Sequence, residues 1–334
     1  MKKVIASGGT LGHLMPIIPV VKTLRELNYE VILYTSKKLN FDESLFNKII
    51  NYKAYGLSKN PYKSIYKNYL VYKEIKRNLK NESPNLIIGM GGYISGITIL
   101  AASKSNIKTI IHEQNSVIGT SNKLVLNKVD YLIYSNEYLN VNIKNKLYLP
   151  NPRSEVAYNF HKITKRNDKQ ILIVSGSLGA KTLNEIGIKL SKELVNYKVI
   201  LITGNRYYNE YKKYECNNLK VIPNTKNLIK LICESYLVIS RAGATTISEI
   251  LGSKTVGIYI PSPNVTKNHQ YKNCKIIIDN NLGIVINEKD LKDYNIVSYI
   301  YKVLNNYELY QNNLNKLKFN NVVNDYIKVI GDIL

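Results

Sequence analysis

Short apolar runs that end in glycine alternate along this chain with stretches of helical spacing. Residues 3–7 are an apolar run opening directly into glycines, and residues 14–27 carry apolar side chains at helical spacing. Residues 30–35 read as a second strand, 84–89 as an Ile-rich strand before another glycine turn, and 108–112 repeat that pattern. Such alternation predicts βα units on a parallel sheet, whose strands are buried on both faces. The pattern restarts after residue 165, with a strand at 169–175, a glycine loop at 176–180 and a helix at 182–194. Further strands are expected at 197–203, 237–240 and 255–259, and residues 297–334 read as helical and Asn-rich.

The 334 residues therefore predict an α/β protein of two Rossmann-like halves. The expected division is a first domain at 1–150, a linker at 151–168 that is polar and carries a proline, and a second domain at 169–334. The last helix is expected to pack back on the first domain. The halves are no strict repeat; they share only the strand–glycine loop–helix opening.

The net charge of +23 favours polyanionic partners: nucleic acid, an anionic membrane surface or phosphorylated substrates. Abundant Lys, Asn, Ile and Tyr also fit compositional drift, so part of the excess need carry no function. Cys216, Cys233 and Cys274 are odd in number and widely spaced, which argues against a disulfide framework or a zinc site and fits a reducing cytoplasm. The apolar stretch at 4–6 is too short for a signal peptide, and no run of apolar residues is long enough to span a bilayer. Any membrane contact is expected to be peripheral.

Three glycine loops carry the candidate chemistry. Gly8-Gly9-Thr10-Leu11-Gly12-His13 follows the first strand, where glycines let a ligand approach the backbone and a helix start offers N–H groups to an anion. It matches neither Gly-x-Gly-x-x-Gly nor a Walker loop, so nicotinamide and P-loop chemistry lose support. Ser175-Gly176-Ser177-Leu178-Gly179-Ala180 takes the same place in the second half. Ser177 there suits a phosphate or a helix cap. The third loop is Ser240-Arg241-Ala242-Gly243-Ala244-Thr245-Thr246-Ile247-Ser248-Glu249, whose helix start suits a diphosphate. Glu249 has two readings: the acid of a Thr246-x-x-Glu249 capping box, or an acceptor for the hydroxyls of a ribose. His112-Glu113-Gln114-Asn115 lacks the second histidine of a zinc protease, and His112 alone reads best as a buried, hydrogen-bonded histidine.

Together these loops resemble the MurG family of lipid-II-forming N-acetylglucosaminyltransferases. Gly91-Gly92-Tyr93, Asn151-Pro152-Arg153, Pro261-Ser262-Pro263-Asn264 and Asn268-His269-Gln270 add to the likeness, and the motifs run in the family's order from residue 7 to about 275. The resemblance implies a GT-B architecture, two Rossmann-like parallel-sheet domains facing across a cleft. It implies UDP-N-acetylglucosamine as donor, bound mainly by the second domain, and lipid I as acceptor, with β-1,4 linkage and inversion. Carried over by motif, Thr10, Leu11 and Gly12 lie against the donor's sugar and diphosphate, and His13 is the candidate general base. Asn115 contacts the transferred sugar, while Arg153 and Ser177 face the diphosphate. Thr225 falls where uracil is read through the backbone. Ala244, Thr245, Thr246, Ile247, Ser248 and Glu249 hold diphosphate and ribose, with Glu249 on the ribose. Gln270 bonds the sugar. Leu11 replaces a common glycine, a residue is missing between Pro152 and Arg153, and Lys267 stands where many members are acidic.

No Asp-x-Asp occurs in the chain, so neither a metal contact nor a cofactor is expected. Rival readings are another GT-B enzyme, such as a glycolipid glycosyltransferase or UDP-sugar epimerase, and a nucleic-acid-binding protein. The latter lacks a basic recognition helix or RNP-like aromatics, and no nucleic acid is expected as partner. Residues 52–80 carry eight basic residues against the single acid Glu74, interleaved with Tyr52, Tyr55, Tyr62, Tyr66, Tyr69 and Tyr72. This composition predicts peripheral attachment to the anionic inner leaflet, on the cytoplasmic side of the cell membrane. A cell-wall synthesis complex is a further candidate partner.

Overall fold

The computed structural model describes residues 1–36, 41–56, 61–176, 179–291 and 296–334. They form two compact units: Met1–Pro152 with Asn321–Leu334, and Arg153–Asn320.

The first unit holds seven strands: β1 (Lys3–Gly8), β2 (Glu30–Thr35), β3 (Lys48–Asn51), β4 (Leu86–Gly89), β5 (Lys108–Glu113), β6 (Tyr131–Tyr134) and β7 (Lys146–Tyr148). They lie in the order β3-β2-β1-β4-β5-β6-β7, every pair parallel. The central strands are continuous Val/Ile/Leu runs because helices cover both faces; Val4, Ile5, Ile32, Leu33, Ile87 and Ile88 are fully buried. The second unit repeats the plan with β8 (Asn167–Val174), β9 (Lys198–Ile202), β10 (Leu219–Ile222), β11 (Ser235–Ser240), β12 (Val256–Tyr259) and β13 (Gly283–Val285). Their order is β10-β9-β8-β11-β12-β13, again wholly parallel. In each sheet the strand order reverses once, between β1 and β4 and between β8 and β11. Loops leaving neighbouring strands diverge there and open a crevice at the carboxyl ends.

Two expectations need correction. The helix expected over 14–27 is two helices, Leu11–Leu14 and Ile17–Glu26, divided at Pro16, whose ring disfavours helical backbone before it. Residues 151–168 are no linker: Pro152–Ile163 is a helix and β8 begins at Asn167, so the division between units falls at 152/153. The Asn-rich end is helical, as expected, and consists of three helices, Ile296–Asn305, Tyr307–Lys316 and Val322–Ile333. Asn321 starts the last with a left-handed backbone at φ 63°, a conformation asparagine tolerates better than most residues.

That last helix belongs to the first unit. Tyr326 and Ile330 are fully buried in a core with Val20, Val21 and Leu24 of the helix Ile17–Glu26. Tyr326 also meets His112 edge to face at 5.7 Å between ring centres. Within the second unit, Lys254 is buried and caps the helix Tyr307–Lys316, donating to the Leu314 carbonyl at 2.7 Å and to that of Leu317 at 2.5 Å. Its ammonium lies over the Phe319 ring, and burial lowers its pKa to about 8.

Truncating Tyr326 to Ala should empty the seam between the last helix and the first sheet. The expected cost is about 3–5 kcal/mol, as for other large aromatic deletions from cores. Urea unfolding followed by circular dichroism measures it; an unchanged midpoint would mean that residues 322–333 lend this core nothing.

Candidate active site

In the first unit the crevice lies between the loops that follow β1 and β4. Thr10 ends the first loop as N-cap of the helix Leu11–Leu14, accepting from the His13 N–H. The same hydroxyl lies 2.9 Å from His13 Nδ1 and so fixes the ring. The ring rests on the backbone of Gly91 and Gly92, which have φ of 108° and 82°. A Cβ on Gly91 would stand 3.0 Å from His13 Cδ2, and one on Gly92 would stand 3.1 Å from the Gly9 backbone. These two positions therefore need glycine for space as well as for conformation. Gln114, on the loop after β5, donates to the His13 carbonyl at 3.0 Å. Burial lowers the His13 pKa and the nearby Glu113 charge partly offsets this, so the imidazole is neutral at pH 7.

Glu113 organises the loop after β5. Buried, with only 3% exposure, its carboxylate accepts from the Asn115 N–H and Nδ2 on Oε1, and from the Gly119 N–H and Asn122 Nδ2 on Oε2. Four neutral donors hold a carboxylate in place of a counter-ion. With its amide nitrogen tied to Glu113, Asn115 is oriented as an acceptor through Oδ1. His112 takes no part. It is buried, bonded through Nε2 to Ser135 Oγ at 2.7 Å, and its pKa falls to about 3 by burial.

In the second unit the crevice lies between the loops after β8 and β11. Ser177 and Leu178 lie outside the described residues. Around them Ser175 Oγ donates to Asn184 Oδ1 at 2.6 Å, which ties the loop after β8 to the helix Lys181–Glu193. Beyond β11 the helix Ala244–Gly252 starts at Gly243, with no side-chain cap. The first-turn N–H groups of such a helix lack helical acceptors and favour an anion.

The capping-box reading of Glu249 is overturned, because Thr246 lies inside the helix and is not its N-cap. Glu249 is instead buried against Arg153, whose Nε and Nη2 both lie 2.7 Å from Oε1. Burial raises the Glu249 pKa and the Arg153 charge opposes it. Both Arg153 bonds go to one oxygen, so the ion pair sets the carboxylate's angle and leaves Oε2 to another donor.

The neighbours of Glu249 contribute unequally. Ile247 turns its side chain into the core, and Ser248 Oγ bonds back to the Ala244 carbonyl at 2.9 Å, so both offer the crevice backbone alone. Gln270 Oε1 accepts from the Ser262 N–H at 2.8 Å, which presents its amide nitrogen as a donor. Thr225 lies beyond β10 at the sheet edge, its N–H bonded to Asn224 Oδ1 and its hydroxyl accepting from Asn227.

Two further residues stand in this second site without having been singled out by sequence. Arg241 and Glu288 pair at 2.7 Å, and Thr182 also donates to Glu288. They come from three segments, and no local spacing announces them.

The basic, tyrosine-rich stretch is in large part the helix Pro61–Glu82. Val71, Ile75 and Leu79 bury one face. The opposite face exposes Tyr62, Ile65, Tyr66, Tyr69 and Leu70 over its first turns, then Lys73, Lys76, Arg77 and Lys80. Tyr52 does not join this face. It is buried on Tyr34, and its hydroxyl accepts from Asn78 at 2.7 Å. No helix among the described residues is long and apolar enough to cross a membrane.

Residues 4–132 match the glycosyltransferase family 28 N-terminal domain and residues 170–327 its C-terminal domain. A UDP-N-acetylglucosamine–N-acetylmuramyl-(pentapeptide) pyrophosphoryl-undecaprenol N-acetylglucosamine transferase of Lactococcus lactis is 31% identical, with 93% of this chain and 92% of that one covered. The Lactobacillus johnsonii enzyme of the same name is 35% identical over 91% of this chain and 90% of its own. The crystal structure of Acinetobacter baumannii MurG shares the fold, with TM-score 0.78 and 23% identity over 99% of this chain and 100% of that one. Two wholly parallel α/β units, with these matches across both, place the architecture as GT-B, and the chain belongs to the MurG family of glycosyltransferases.

Proposed function

We propose that this protein transfers N-acetylglucosamine from UDP-N-acetylglucosamine to O4 of the muramoyl unit of lipid I, forming lipid II with inversion in peptidoglycan synthesis. The observation that carries the reading is the extent of the likeness to N-acetylglucosamine transferases of that name, at 31–35% identity over nine-tenths of the chain.

The geometry supplies a mechanism. Thr10 Oγ1 lies 2.9 Å from His13 Nδ1; in the tautomer that carries its proton on Nδ1 toward this hydroxyl, Nε2 is the basic nitrogen that the mechanism uses. Nε2 takes the proton of the acceptor O4 hydroxyl as the oxygen bonds to the anomeric carbon. The bond from that carbon to the diphosphate breaks on the opposite face, and UDP carries away the electron pair. The imidazolium so formed faces the Glu113 charge, which favours it. In the second unit, helix starts beside β8 and β11 receive the diphosphate. By motif likeness, Thr10, Leu11 and Gly12 serve sugar and phosphate. Glu249, angled by Arg153, accepts from the ribose hydroxyls through Oε2. Asn115 accepts from the transferred sugar and Gln270 donates to it. Thr225 reads uracil through its backbone.

The acceptor's lipid cannot leave the bilayer, so the first unit docks on the inner leaflet. The face of the helix Pro61–Glu82 suits this: a tyrosine and leucine stripe for the interface, then a basic stripe for anionic head groups.

Incubation with UDP-N-acetylglucosamine and a lipid I analogue should release UDP only when both are present; release without acceptor would point to a different UDP-sugar chemistry. His13→Ala should lower turnover by about 10²–10⁴-fold while UDP still binds. Because burial lowers the His13 pKa and the neutral ring is the base, kcat/KM should fall as pH drops through a midpoint below 6.5. An acid limb that survives in His13→Ala would assign it to another group. Reversing Lys73, Lys76 and Arg77 together to Glu should weaken binding to anionic vesicles by about 3 kcal/mol or more, over a hundredfold, at about 1 kcal/mol per basic residue. Co-sedimentation across salt concentrations reads this, and binding indifferent to the three reversals would move the docking face elsewhere.

A further inference from the structure

The loop after β13 reaches into the second unit's crevice from a strand two places away from it. Glu288 Oε2 accepts from Arg241 Nη1 at 2.7 Å, and Oε1 accepts from Thr182 Oγ1. Arg241 Nη1 also donates to the Ile260 carbonyl at 3.1 Å, so its guanidinium lies across the ends of β12 and β13. Each oxygen of one carboxylate thus holds a different segment. Arg241 belongs to the three-residue turn between β11 and the helix Ala244–Gly252, and Thr182 is in the first turn of the helix Lys181–Glu193. Those helices follow the two strands between which the sheet order reverses.

An exposed ion pair would deserve no more comment, since such pairs contribute little. This one differs in burial and in connectivity. The Arg241 and Glu288 side chains are only 14% and 22% exposed. Burial alone would raise the Glu288 pKa, yet the bonds from Arg241 and Thr182 and the Arg241 charge outweigh it and lower the value. The carboxylate is therefore ionised at neutral pH.

We propose that Glu288 is a positioning residue for the nucleotide diphosphate, setting the distance between the two helix starts that receive it. The proposal rests on the reading of this protein as a UDP-sugar transferase. A diphosphate has a fixed span, and backbone N–H donors reward it only when they stand at matching separation. Both Glu288 oxygens are taken by Arg241 and Thr182, so its loss acts on donor binding through them and leaves the transfer step alone.

The test uses the full chain and UDP itself, with affinity from titration calorimetry and separate KM values for donor and acceptor. Glu288→Ala should raise the Kd for UDP and the donor KM about tenfold, as for loss of charged hydrogen bonds. Turnover at saturating donor and the KM for lipid I should stay within about twofold, a split that general loosening of the fold would not give. Thr182→Val should weaken UDP binding in the same direction, and the double variant should be no worse than Glu288→Ala, since one bridge is lost once. Glu288→Gln, which keeps an acceptor for Arg241 and can donate to the Thr182 hydroxyl, should recover part of the affinity. Parent-like UDP affinity in folded Glu288→Ala and Thr182→Val, or a fall in turnover at unchanged affinity, overturns the proposal. If Glu288→Ala does not fold, Thr182→Val decides alone. A parent protein that binds no UDP overturns the transferase reading along with it, whereas a parent that binds UDP beside indifferent variants overturns only the role of Glu288.

Discussion

A wholly parallel sheet sends the carboxyl ends of all its strands to one edge, and where strand order reverses, neighbouring loops must turn away from each other. Everything of chemical interest in this chain follows from that constraint, met once between β1 and β4 and once between β8 and β11. His13 is held over Gly91 and Gly92 because its helix leaves β1 just where β4 ends. Glu249 lies one and a half turns into the helix that leaves β11, deep enough to be buried and near enough the end to be met by Arg153. The sheets supply no reactive group themselves; they fix where loops begin.

The second ordering influence is the buried carboxylate. In a chain with 47 Lys and Arg against 24 Asp and Glu, two buried acids and one half-buried acid lie near the crevices and are held by internal partners. Glu113 gathers four neutral N–H groups, Glu249 takes one guanidinium through one oxygen, and Glu288 joins an arginine to a threonine. A carboxylate in low dielectric is costly unless its lone pairs are met, so each fixes the donors around it as firmly as they fix it. Loops that would otherwise rely on short backbone contacts gain a defined shape.

The central strands and their glycine loops were legible because fully buried strands are written as unbroken apolar runs. The edges were not: β3 and β7 are short and half exposed, so they carry no such run. Pro16 was in plain view, but helical spacing on both sides masked the break. The Thr246–Glu249 spacing suits a capping box and an ordinary helical turn equally well. The helix start at Gly243, which puts Thr246 inside the helix, decides between them, and Arg153, 96 residues away, holds the carboxylate instead. Tyr52 misled because composition groups it with the later tyrosines, whereas it follows β3, outside the helix Pro61–Glu82, and is buried on Tyr34. The candidate site residues came from motifs, each of which is contiguous in the chain and so readable in it. The Arg241–Glu288–Thr182 bridge was not so readable, since it joins three separate segments through tertiary structure alone.

The helix Val322–Ile333 gives this chain an unusual order of completion. A polypeptide emerges from the ribosome at about 5–20 residues per second, and domains generally form as units once their residues are available. The second unit is complete at Asn320, while the first, begun at Met1, lacks Tyr326 and Ile330 until the final residues appear. During synthesis the later unit can therefore close while the earlier one still shows Val20, Val21 and Leu24 to solvent or to a chaperone. The half of the molecule that carries His13 therefore closes only after the half that follows it along the chain.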